Sequence, residues 1–94
     1  MVYELTIEKE LEEELNELKR INIREYTILQ KKFEEMKLHA SVIVNHKAKF
    51  NSFEKPLQDY KWIEINEKIL IFKVDPNDQN IHLCEYLPKD EVFQ

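Results

Sequence analysis

The chain has 94 residues, 43% of them hydrophobic and 35% charged, which fits one globular domain and leaves no room for a second fold or a deep enclosed cavity. Nineteen acidic residues against 14 basic ones give a net charge of −5, which argues against a simple basic nucleic-acid binder. Glycine is absent and cysteine occurs once, so glycine-rich phosphate loops, a nucleophile elbow, an internal disulfide and a cysteine-rich zinc site are excluded in their usual forms.

Val2 to Thr6 alternates in polarity and predicts a short strand. Leu11, Leu15 and Leu18 follow at helical spacing with acidic residues between them, and Lys19 and Arg20 suit the negative end of a helix dipole. Asn22 can cap a second helix, whose apolar stripe is Ile23, Tyr26, Leu29, Phe33 and Met36. So short a link predicts a helical hairpin. After His39 the period changes, and Ser41 to Asn45 reads as a strand or an extended loop. Pro56 halts any helix near Lys55.

Tyr60 to Ile65 and Ile69 to Val74 read as strands joined by a tight turn at Asn66 and Glu67. Asp75-Pro76-Asn77-Asp78 is a turn, Ile81 to Leu87 a further strand, and Pro88 closes it before a tail from Lys89 to Gln94. The expected architecture is a single α+β domain over 1–94, in the order β-α-α-β-β-β. An antiparallel sheet carries the N-terminal helical hairpin on one face and leaves the other face open. The longest apolar runs are about four or five residues, where a bilayer span needs roughly 20. Glu4, Glu8 and Glu10 do not suit a signal peptide. A soluble, cytoplasmic protein is therefore expected.

Charge is unevenly spread. Six acidic residues and one lysine occupy Glu8 to Glu17, whereas His46, Lys47, Lys49, Lys55 and Lys61 make the stretch from Asn45 to Lys61 basic. His46, Lys47 and Lys49 are thus candidates for binding an anionic substrate, and a histidine there could also act as a general base. His82 and Cys84 alternate along a strand and are expected on one side of it. Two ligands without a third do not make a metal site, and a thiol–imidazole pair without an oxyanion hole does not make a nucleophile.

Strand-then-helix at the N-terminus, Lys55-Pro56-Leu57 followed by Tyr60-Lys61, Lys68-Ile69-Leu70-Ile71, and Leu87-Pro88-Lys89-Asp90-Glu91-Val92-Phe93 occur in that order over nearly the whole chain. This succession resembles the RelE/ParE superfamily of bacterial and archaeal toxins. There the corresponding segments are Lys-Pro-Leu-x-x-Tyr-Arg, Arg-Val-Ile-Tyr and Gly-His-Arg-Lys-Asp-Val-Tyr. The resemblance implies the toxin of a type II toxin–antitoxin system, neutralised by a cognate antitoxin. RelE-like members cleave messenger RNA on the ribosome without metal or other cofactor. ParE-like members share the fold, lack the nuclease site and inhibit DNA gyrase.

Carried over by position, Lys61, Lys68 and Lys89 stand where catalytic basic residues are expected, and Phe93 where a tyrosine is expected. The resemblance therefore implies an mRNA endoribonuclease in which these lysines stabilise the phosphorane and move protons, with Phe93 stacking on a base. Lysine keeps the charge of arginine but loses its bidentate grip on phosphate, and Phe93 cannot transfer a proton. Ile63 and Ile65 share the Lys61 side of their strand and make it apolar. The alternative is a non-nuclease member of the same fold, either a gyrase inhibitor or a degenerate toxin-like interaction protein. A homodimer through an exposed sheet edge is a further expectation. The nuclease reading requires the three lysines to meet on the open face of the sheet.

Overall fold

The computed structural model describes residues 3–45, 51–52, 60–75 and 77–92. The elements are β1 (Glu4–Ile7), α1 (Lys9–Ile21), α2 (Ile23–Asn45), β2 (Asn51–Ser52), β3 (Tyr60–Ile65), β4 (Lys68–Asp75), β5 (Asn80–Pro88) and α3 (Lys89–Val92). This is the expected α+β fold, with two N-terminal helices packed on a sheet.

A single residue, Asn22, ends one helix and starts the next. Its N–H donates to the Leu18 carbonyl at 2.7 Å, which satisfies one of the last carbonyls of α1. Its side-chain Oδ1 accepts from the Glu25 N–H at 3.2 Å, the capping bond foreseen for this residue type. The leucine stripe of α1 and the stripe of α2 then meet in one core with Leu11, Leu15, Leu29, Phe33 and Met36 buried. Ile23 at the start of the second stripe remains exposed.

The sheet runs β1-β5-β4-β3-β2. The β3–β4 and β4–β5 pairs are antiparallel, as expected for a meander, and β2 adds a short antiparallel piece beside β3. The first strand lies parallel to β5, with Leu5 in register with Ile81. Parallel pairing needs a long crossover, and everything between the two strands in sequence, the helices included, supplies it.

Alternation along the strands divides the sheet faces. Ile63 and Ile65 of β3, Leu70, Phe72 and Val74 of β4, and Ile81, Leu83 and Tyr86 of β5 join the helix-side core. The bulge between Ile71 and Phe72 preserves this alternation. Phe72 pairs with Leu83 and Ile71 with Glu85, so Cys84 is the extra residue on β5. The remaining parity, which includes Tyr60, Trp62, Glu64, Ile69, Ile71, Lys73 and His82, belongs to the other face.

Two expectations need correction. Ser41 to Asn45 is the last part of α2, not a strand or loop. No glycine or proline interrupts the chain there, and extending an existing helix costs only tenths of a kcal/mol per β-branched residue. The tail after Pro88 is also not wholly irregular: α3 forms there and packs against β4 and β5. The face opposite the hairpin is therefore only partly open, and Ile69 on it is fully buried.

Candidate functional site

The three expected catalytic lysines do not converge on the open face. Lys61 is in register with Phe72, so its side chain leaves the sheet on the helix side, and it is half-buried. Lys68 also leaves on the helix side. Its ammonium lies 3.3 Å from Glu25 Oε1 of α2 and 5.1 Å from the centre of the Tyr86 ring. Lys89, on α3, pairs instead with Glu64 at 2.8 Å, and the register of Glu64 with Ile69 puts that pair on the opposite face. The Glu64 carboxylate, by hydrogen bond and then by charge, holds the Lys89 ammonium above its ordinary pKa. The physical reason is strand parity: residues 61 and 68 match across the β3–β4 turn, whereas 89 follows the end of β5 and a new helix.

Lys68 and Lys89 nevertheless line one groove of about 550 Å³ at the β3–β4 turn, together with Asn66, Glu67, Pro88 and Asp90. Its two ammoniums are matched by two carboxylates within the groove, and both are already engaged outside it. Lys61 stands four residues up the strand from Ile65, the partner of Lys68, about 13 Å away at 3.3 Å per residue. Phe93, His46, Lys47 and Lys49 lie outside the described residues.

A different constellation occupies the open face. Thr6 Oγ1 lies 2.7 Å from His82 Nδ1, and His82 Nε2 lies 3.0 Å from Glu8 Oε2. Thr6 and Lys73 are the register partners of His82 on either side, and Tyr60 is the partner of Lys73. The Lys73 ammonium sits 4.5 Å above the Tyr60 ring. One row across four strands thus carries a hydroxyl, an imidazole, an ammonium and a phenol. The hydrogen-bonded chain through His82 ties β1 and the start of α1 to β5.

Beside this row is a groove of about 500 Å³. Tyr60, Ile71, Cys84, Leu87 and Val92 form an apolar floor, and Glu8, Glu85 and Glu91 supply carboxylates. Burial pushes the Cys84 thiol above its ordinary pKa; Lys73 opposes that, while Glu8 and Glu85 add to it. Cys84 and His82 do face one side, as their alternation implied. The groove itself was not foreseen. Its signal was present in Ile71, Cys84, Glu85 and Leu87, but the β5 bulge and the return of α3 decide that they meet. Among the described residues, no group of three His, Cys, Asp or Glu side chains is placed to hold a metal ion, and no helix is long and apolar enough to cross a membrane.

Neither a protein-family model nor any curated protein matches this chain.

Proposed function

We propose that this chain is a RelE/ParE-like module that acts by binding another protein, in the manner of a gyrase-directed toxin or a toxin-like interaction protein, and not by cutting RNA. The ordered motifs around Tyr60-Lys61, Lys68 to Ile71 and Leu87 to Phe93, with a helical hairpin on a small sheet, support the superfamily. One observation carries the preference for binding over cleavage: Lys61 and Lys68 leave the sheet on the helix side, and Lys89 pairs on the other. A phosphorane needs several cations focused on one oxygen cluster, and the ammoniums of Lys68 and Lys89 already face carboxylates. The open face offers instead a half-buried apolar floor with an acidic rim, which suits a protein partner in the cytoplasm, such as an antitoxin or gyrase. The second reading, metal-free cleavage of mRNA, keeps one observation in its favour, the groove shared by Lys68 and Lys89.

Adding the purified protein to a translating extract separates the two. Transcripts should remain full-length, and Lys68→Ala with Lys89→Ala should change nothing. Cleavage within codons that the double variant abolishes would overturn the proposal. In cells, growth arrest with inhibited supercoiling and intact mRNA identifies the gyrase branch, and normal growth identifies the non-toxic binder.

A further inference from the structure

We infer that the groove beside β5 is the docking site for a cationic, amphipathic segment of a partner protein, one that presents arginine. This rests on the protein-binding reading and names the chemistry of its partner.

Three carboxylates surround one opening, and no basic residue lines it among the described residues. Glu85 and Glu91 have no ion pair or hydrogen bond among the described residues, and Glu8 gives one oxygen to His82. Lys73, on the same face, is held over Tyr60. Carboxylates set around an apolar floor offer an incoming cation several charged acceptors beside an apolar seat. Arginine matches both parts: its stem covers apolar surface, and its planar fork reaches two carboxylates at once. An RNA phosphate or an acidic peptide meets three carboxylates here against the Lys73 ammonium over Tyr60. A second copy of this chain placed symmetrically over the groove would set the same glutamates against each other, in a protein whose net charge is already −5.

The test uses a fluorescein-labelled peptide of alternating leucine and arginine, and the same peptide with glutamate for arginine. Binding is read by anisotropy. Cys84, the chain's only cysteine, reports occupancy through protection from N-ethylmaleimide. The arginine peptide should bind and slow alkylation, and the glutamate peptide should do neither. Glu85→Gln with Glu91→Gln should weaken binding by about tenfold, the scale of lost charge-assisted hydrogen bonds. Glu13→Gln with Glu14→Gln, an equal change of charge on the exposed side of α1, should leave it nearly unchanged, with circular dichroism checking that both variants fold. Equal weakening in both double variants, binding of the glutamate peptide, unprotected Cys84 or no binding at all would each overturn the inference. Transcript cleavage alongside peptide binding would overturn only the protein-binding reading. Intact transcripts with an empty groove would overturn only this site.

Discussion

Lys68 carries its charge into a half-buried corner between the Glu25 carboxylate and the face of Tyr86. Tyr86 is itself fixed there. Its hydroxyl donates to the Ile65 carbonyl at 3.5 Å and accepts from Asn66 Nδ2 at 3.4 Å. Burial, with Glu25 adding a smaller push and Asn66 opposing, keeps its phenol protonated above the ordinary range. Because Lys68 is 36% exposed, water screens the pair, and its coupling should be about 0.5–1 kcal/mol. A double-mutant cycle of Glu25→Gln and Lys68→Met in urea unfolding measures it; zero coupling would mean that the pair only coexists in space. Cys84 offers a second prediction at this scale. Its thiol should react with maleimide more slowly than a free cysteine near neutral pH, with the rate rising past the ordinary pKa of 9.0. The fold favours the protonated thiol, so this contribution to stability is full below the free-thiol range and is lost as pH rises from there through the raised native pKa. A midpoint below 9.0 would contradict the burial described for Cys84.

The tight turn between β3 and β4 shows what a chain without glycine must accept. Asn66 and Glu67 have φ of 57° and 65°, the left-handed values a two-residue hairpin turn demands. Asparagine tolerates this region, but glutamate has a Cβ that crowds the backbone there. Glu67→Gly should therefore raise stability by up to about 1 kcal/mol, the relief of strain exceeding the added freedom of the unfolded chain. An unchanged or lower melting temperature would show that the turn bears no such strain. At the helical link, Asn22→Ala removes the cap of α2 and should cost about 1 kcal/mol. The capping role was readable from residue type and position. The extent of α2 was not, because Val42, Ile43 and Val44 carry strand propensity while the helix they continue is already nucleated.

For the molecule as a whole, one core between hairpin and sheet holds the fold. Leu29, with no exposed surface, touches the centre of that core, and Leu29→Ala should cost about 2–5 kcal/mol. That is a large share of the roughly 5–15 kcal/mol available to a domain. Ile21, 65% exposed at the end of α1, should tolerate alanine within about 0.5 kcal/mol. Chemical denaturation of the two variants measures the contrast, and comparable losses would mean that the packing centre lies elsewhere.

The periods of the sequence determined most of the elements, since apolar spacing of 3.6 or 2 decides which face of a helix or strand seeks the core. Leu11, Leu15, Leu29, Phe33 and Met36, and the strand cores of β3 to β5, were legible for that reason. Only the tertiary structure decided which elements became neighbours. It set β1 parallel to β5, absorbed Cys84 into a bulge and folded α3 back over the sheet. It also sent Lys68 and Lys89 to opposite carboxylates while gathering Glu8, Glu85 and Glu91 around one groove. Local pattern reports a residue's parity within its own strand, but the meeting of charges from distant segments depends on chain reversal and register, which no local spacing encodes.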